Sequence, residues 1–481
     1  MTNWMPDLSN GTGPIYQRLA DHIEAEIDAG LIAHGEKLPP QRDLAFDMKT
    51  TVGTIGRAYA VLRERGLVSG EVGRGTYVIA QPGTSAAENA SDPARGFIRN
   101  PADPQVYGTR PIEAPDDFIR FDSTSAPDVG QAPALSEAVA QAMQSDDGGL
   151  INYVRNYPPH WFEAGRRWMS RNGFSPSIDS IVPTLGVHSG VMSAISALTS
   201  PGDHIAFDHL SYAPVARSAG LAGRRVALVE SDADGLSAES LDHVCAQKHP
   251  KVAFLQPTAH NPTLVIMPER RRREIAEVAR RHNLLLIEDD LYGSMSHDPT
   301  PLVAEFAPER TIVVAGLSKA VGAGLRGGWV SCPPALANRI RIAHRLVVGA
   351  MPGLLFEASS QMVLSGKAHE IGAASIAEVR HRIGMVRDAL AGYDFNSHPN
   401  IPFVWLAMNG NWTSGAFRSA ALAHNLLLDD EDEFKVGRSD RVFHRVRFAI
   451  SARVDRDGVA RGLSIIRGLL DEGRVGGEWS D

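Results

Sequence analysis

The chain has 481 residues, enough for more than one domain, and its 43% hydrophobic and 22% charged residues suit a globular protein without a long apolar span for a membrane. A net charge of -8 excludes a broadly basic nucleic-acid surface, so any DNA contact must be local. Cys245 and Cys332 have no paired spacing, which argues against a disulfide framework or a zinc cluster; nothing in Met1 to Asn10 resembles a signal peptide, so a cytoplasmic location is expected.

Residues 1–80 read as short helices ending in a hairpin. Ile15, Leu19, Ile23 and Ile27 recur every four residues, with Pro14 suited to a helix start and Gly30 to its exit. A second helix is expected over 41–47. A third, over 52–65, carries Ile55, Ala58, Tyr59 and Leu62 as its buried stripe. Residues 67–78 read as two strands turned by Gly73, Arg74 and Gly75. Three helices and a hairpin are the order of a winged helix-turn-helix domain.

Residues 81–115 are rich in Pro, Ala, Ser, Asp and Gly without periodicity, the composition of a flexible linker. Over 116–481, apolar runs such as 252–255, 284–287 and 311–315 alternate with helical patterns such as 270–281. That alternation predicts an α/β domain with a mostly parallel sheet, and a smaller α+β subdomain over about 351–481.

On the third helix Thr51, Thr54 and Arg57 share a face opposite the apolar stripe and are candidates to meet DNA, with Arg42 and Arg74 placed for phosphates. Leu38-Pro39-Pro40-Gln41-Arg42-Asp43-Leu44-Ala45, Thr54-Ile55-Gly56-Arg57-Ala58-Tyr59, Gly66-Leu67-Val68 and Gly73-Arg74-Gly75-Thr76-Tyr77-Val78 then resemble the winged-helix domain of GntR-type regulators. Thr51 and Val52 stand where many such proteins carry a serine-arginine pair. Acidic residues slightly outnumber basic ones in this domain, so binding is expected to depend on dimerisation.

Lys319 lies just beyond the carboxyl end of the 311–315 run, beside Ser318 and ahead of a glycine-rich turn in which Arg326 faces backbone. Asp289 follows another strand-like run, Tyr292 comes three residues later, and Asn261 follows a third run. Gly186 to Gly190, with Val187 and His188, offers a helix N-terminus, and Tyr212 can stack on a planar ring. A lysine for a Schiff base, an acid for a pyridine nitrogen, donors for a ring oxygen and an anchor for phosphate are what pyridoxal 5'-phosphate requires.

Asn261-Pro262-Thr263, Asp289-Asp290-Leu291-Tyr292 and Ser318-Lys319, with Arg326 seven residues on, resemble the fold type I aminotransferases over about 120–470. The resemblance implies that Lys319 forms the internal aldimine and Asp289 pairs with the pyridine nitrogen. By the same likeness Asn261 and Tyr292 face the ring oxygen, and Arg326 holds the phosphate. Arg447 resembles the arginine that grips a substrate carboxylate, with Arg445 as the fallback, and Tyr153 resembles the tyrosine that reaches the partner subunit's cofactor.

A GntR-type reader joined to such a domain resembles the MocR subfamily. The likeness implies a homodimer, head to tail, that binds a double-stranded DNA operator. Its effector, an amino acid or other amine-bearing carboxylate, would form an external aldimine and alter DNA binding. A working aminotransferase and a sensor of pyridoxal phosphate itself are the alternatives; effector, operator and target genes stay open.

Overall fold

The computed structural model describes residues 13–29, 31–32, 36–65, 67–71, 75–78, 108–110, 117–145, 152–408, 410, 412–437, 441–451 and 454–475. The chain divides into two compact units, Met1–Asp103 and Pro104–Asp481.

In the first unit the four-residue apolar spacing forms the helix Ile15–Asp28, starting directly after Pro14. Helices Gln41–Asp47 and Val52–Glu64 follow. Leu19, Ile23, Ile27, Ile55, Ala58, Tyr59 and Leu62 are all fully buried, so the stripes read from sequence meet in one small core. Each such aliphatic side chain contributes about 1.5–3 kcal/mol relative to exposure. Tyr59 keeps its hydroxyl satisfied inside that core by donating to the Pro39 carbonyl at 2.8 Å. The hairpin Val68–Glu71 and Gly75–Val78 is joined by a strand the spacing did not reveal, Lys37–Leu38, paired antiparallel to Gly75–Val78. Two residues are too short to show an alternation. Arg74 lies outside the described residues, as do 81–107 and 111–115 of the expected linker.

The second unit is built on a seven-stranded sheet in the order Ile181–Leu185, Gly327–Ser331, Thr311–Gly316, Leu285–Asp289, Val252–Leu255, His204–Asp208 and Arg225–Val229. All neighbours are parallel except Gly327–Ser331, which runs antiparallel to both of its own. Val252–Leu255 is buried at every position, as expected of a strand covered on both faces. Parallel order puts the carboxyl ends of the three central strands side by side, and the site lies there.

A separate antiparallel sheet, in the order Phe395–Ser397, Phe403–Ala407, Arg445–Ala449 and Asp429–Asp430, forms the smaller α+β part. Helices Lys367–Ala389 and Arg456–Val475 pack against each other within it. This part is not drawn only from the later chain, because Ile119–Arg120 pairs parallel with Leu426–Leu427 and the buried Phe121 stacks on Phe448 at 5.8 Å. Gly108–Arg110, within the span read as flexible linker, is bonded to this same edge. Among the described residues no helix is long and apolar enough to cross a membrane.

Candidate functional site

Asp289 ends its strand, fully buried, and accepts hydrogen bonds from Gln256 Nε2 at 2.9 Å and the Leu291 amide at 3.1 Å. No arginine, lysine or histidine forms an ion pair with it among the described residues. Burial therefore raises its pKa to about 6, opposed by those two hydrogen bonds. Lys319, on the turn after the neighbouring strand, donates to Thr124 Oγ1 at 2.8 Å. Burial lowers its pKa to about 7, helped by the Arg447, Arg110 and Arg326 guanidinium groups and opposed by Asp289. Near neutrality a large share of Lys319 is thus an uncharged, nucleophilic amine.

Tyr292 is buried, and burial pushes its phenol up to about 12, so it remains a proton donor beside the Thr124 hydroxyl. Its ring lies 5.5 Å from that of Phe403. Asn261 is buried and accepts from Arg447 Nη1 at 3.1 Å, across a cis Asn261-Pro262 bond.

The phosphate candidate forms where antiparallel pairing sets Gly327 opposite Leu185. Arg326, in the left-handed region, thereby faces the start of the helix Gly186–Leu198. Gly186 has φ +77°, and a Cβ there would come within 3.2 Å of Arg326 Nη2, so glycine lets guanidinium and helix N-terminus stand together. No carboxylate pairs with Arg326 among the described residues. Val187 is buried in this first turn, and His188 Nδ1 is buried without a partner while Nε2 meets Ser218 Oγ at 3.2 Å. Burial, then the Arg326 charge, lowers the His188 pKa, which favours a neutral ring. Tyr212 stands edge-on to His188 with centroids 6.2 Å apart, close enough to Arg110, Asp289, Arg326 and Arg447 to feel their charges.

Arg447 is almost wholly buried. It pairs with Asp429, donates to the Asp122 carbonyl at 3.2 Å, and lies over the Phe434 ring at 4.7 Å. Its Nε alone has no partner. Arg445 is turned elsewhere, onto Asp394 at 2.8 Å and the Trp405 carbonyl at 3.2 Å, while Arg447, two residues on, is held by Asp429 and Asn261. That removes Arg445 as the fallback. The Ser318 side chain makes no hydrogen bond that the described residues record, although its carbonyl accepts from the Ala126 amide at 3.3 Å. Tyr153 is 78% exposed and lines a different cleft, of about 580 Å³, with Tyr157, Arg341, Arg345 and Met351.

In the first unit Thr51 is occupied as the N-cap of its helix, accepting from the Thr54 amide at 3.2 Å and lying 2.9 Å from Thr54 Oγ1. Both threonines are therefore partly committed to the helix. Arg42 and Arg57 are exposed.

Sequence reasoning missed Thr124, Gln256, Arg110 and Asp429. Gln256 had a signal, since it directly follows a strand that ends beside Asp289. Thr124 and Arg110 are brought in by irregular chain far from Lys319 in sequence, and no local pattern marks them.

With that geometry in view, residues 117–466 match the family described as aminotransferase class I and II, and residues 15–78 match the bacterial regulatory proteins of the gntR family. The chain belongs to the class I and II aminotransferase family. With the gntR-type domain ahead of it, it has the MocR architecture of a regulator with an aminotransferase-like domain. It is 29% identical over 474 residues to the HTH-type transcriptional regulator YdeF of Bacillus subtilis, covering 98% of this chain and 97% of that one. It is 25% identical over 334 residues to the vitamin B6 salvage pathway transcriptional repressor PtsJ of Salmonella typhimurium, covering 69% and 70%. In fold it is similar to the multiple substrate aminotransferase of Thermococcus profundus, with a TM-score of 0.68 at 18% identity, covering 80% of this chain and 100% of that one. The family is dependent on pyridoxal phosphate, its fold is typically dimeric, and a gntR-type domain implies DNA binding.

Proposed function

We propose that this protein is a DNA-binding transcriptional regulator that holds pyridoxal phosphate at Lys319 and senses an amine-bearing effector there. One observation carries the reading: among the described residues, two buried or helix-end charges without an ion-pair partner stand in one site with a largely uncharged amine. A buried Asp289 lacks a cation, Arg326 at a helix N-terminus lacks an anion, and Lys319 is held near neutrality. Those are the complements of a pyridinium, a phosphate and an aldehyde, so the residues fit the cofactor.

When bound, pyridoxal phosphate supplies an aldehyde that condenses with primary amines and a ring that draws electrons. The protein's part is positional. Asp289 keeps a proton on the pyridine nitrogen, Arg326 with the Gly186, Val187 and His188 turn grips the phosphate, and Tyr212 covers the ring. Asn261 and Tyr292 donate to the ring oxygen, and Ser318 shapes the turn. An effector amine would compete with the Lys319 amine for that aldehyde, and any carboxylate it bears would be drawn to the Arg447 region. Occupancy would then bias the reading of a double-stranded operator by Arg42, Thr51, Thr54, Arg57 and Arg74, with Thr51 also capping the helix that carries Thr54 and Arg57.

The working form is a homodimer, assembled head to tail and cytoplasmic. The exposed Ile342, Leu346 and Val347 on the helix Pro334–Val348, beside the cleft of Tyr153, support such pairing, with Tyr153 reaching the partner's site. Exchanging Lys319 for alanine tests the reading: the visible absorbance of bound cofactor and the response of operator binding to amines should both vanish. A normal response from that variant sinks it.

Two further readings have specific support. A neutral Lys319 amine can also move protons, so sustained keto-acid production from a panel of amino acids would mark a working aminotransferase. The likeness to a vitamin B6 salvage repressor favours pyridoxal phosphate itself as signal; titrating operator binding with cofactor alone separates that case.

A further inference from the structure

We propose that Arg110, in the stretch read from sequence as linker, is a specificity-determining residue of the Lys319 site. Its charge makes the site select amines that also bear a carboxylate. The proposal rests on the reading of Lys319 as the point where an amine effector is sensed.

Asp429 and Arg447 stand directly opposite each other on antiparallel strands, so sheet register fixes their pairing. Their side chains are 0% and 1% exposed, a closed and neutral pair. Arg110 lies on this pair as a fork, Nε to Asp429 Oδ1 at 2.6 Å and Nη2 to Oδ2 at 3.1 Å. Two guanidinium groups around one carboxylate leave one positive charge uncompensated. It resides on the accessible partner, since the Arg110 side chain is 34% exposed.

Three nearby acids, Asp430, Glu433 and Asp122, each have a cation of their own, and the other two share one lysine, with the excess negative charge on Asp432, whose side chain is 52% exposed. Asp430 pairs with Arg418 at 2.9 Å and Glu433 with Arg217 at 3.0 Å. Glu431 and Asp432 share Lys435 at 2.8 Å each, and Asp122 holds Arg120 at 2.8 Å. The backbone around Arg110 is pinned as well. The Thr109 amide donates to Glu433 at 2.7 Å, its hydroxyl to Asp430 at 2.8 Å, and Arg418 donates to the Thr109 carbonyl at 2.8 Å. Gly108, at φ +83°, passes where a Cβ would lie 2.3 Å from Glu433 Oε2, so only glycine delivers the segment this close.

Through Asp429, Arg110 stands one carboxylate away from Arg447, whose Nη1 reaches Asn261 at 3.1 Å, and from this seat its charge bears on both Lys319 and Tyr212. An incoming carboxylate therefore meets a fixed, partly exposed cation on the Arg447 side of the site, while a plain amine gains nothing from it.

The test uses the full-length protein loaded with pyridoxal phosphate. Cofactor absorbance is titrated with L-alanine and with ethylamine, which differ only in the carboxylate. Arg110→Gln should lower the ratio of alanine to ethylamine affinity by about tenfold, a loss on the scale of one charge-assisted hydrogen bond. Arg110→Lys, which keeps the charge without the fork, should restore part of it; a merely structural arginine would move both ligands alike. An unchanged ratio in Arg110→Gln, with cofactor taken up normally, overturns the proposal and leaves the reading of the site standing. Failure of the unaltered protein to take up cofactor overturns both.

Discussion

At Lys319 the side-chain environment sets a testable pH dependence. The ammonium is held at about 7 where an unburied lysine loses its proton near 10.5, so the amine becomes available as pH rises through 7. Uptake of pyridoxal phosphate by the cofactor-free protein should accelerate about fivefold from pH 6 to pH 7 and flatten above pH 8, followed by absorbance. A rate indifferent to pH over that range would contradict the assignment. Asp289 behaves in the opposite sense. Its pKa is raised to about 6 from 3.8, so the folded protein bears the cost of an unpaired buried carboxylate increasingly between about pH 4 and pH 6. Asp289→Asn should stabilise the cofactor-free protein above pH 6 by up to about 3 kcal/mol, do little at pH 4, and weaken cofactor binding, as read by thermal unfolding with and without cofactor. Destabilisation at pH 7 would show that Asp289 is satisfied in a way its two hydrogen bonds do not reveal. Lys319, Asp289, Tyr292, Asn261 and Arg326 were legible in sequence because each falls at or just beyond a strand end or in a short turn. Thr124 and Asp429 were not, since what makes them matter is a partner some 195 residues away for Thr124 and a cross-strand register for Asp429.

The helix Val52–Glu64 shows how one side chain can bear on two functions. Thr51 was read as a DNA contact, and its hydroxyl is the cap of that helix. Thr51→Ala should cost the first unit about 1 kcal/mol, with Thr51→Ser close to neutral, visible as a shift in its unfolding transition. Equal stability of the alanine variant would free the residue for DNA alone. The helices Ile15–Asp28 and Val52–Glu64 were easy to foresee, because apolar residues recur three or four apart along each. Lys37–Leu38 and Asp429–Asp430 escaped for a physical reason: two-residue strands carry no period and exist only by pairing with a longer neighbour. Arg445 and Arg447, two apart, were weighed as interchangeable. They divide because Arg447 is drawn inward by Asp429 and Asn261 while Arg445 reaches Asp394.

For the molecule as a whole, an acidic chain that reads DNA must do so through few cations. Arg57→Ala should weaken operator binding at every sequence alike if it meets phosphate, lowering the slope of log affinity against log salt by about one. A loss confined to one base position would assign Arg57 to a base edge instead. The two-part organisation was plain from texture, yet the span read as linker hid a structural piece. Gly108–Arg110 is too short and too polar to stand out, and its worth lies in what it docks against.

That piece changes where the sensing half begins. The family match starts at residue 117, whereas the compact unit starts at Pro104. A protein trimmed to the family boundary would keep Lys319, Asp289 and Arg326 and leave Asp429 and Arg447 as a neutral pair. With Arg110 setting ligand preference as proposed, affinities measured on such a protein would not transfer to the intact chain.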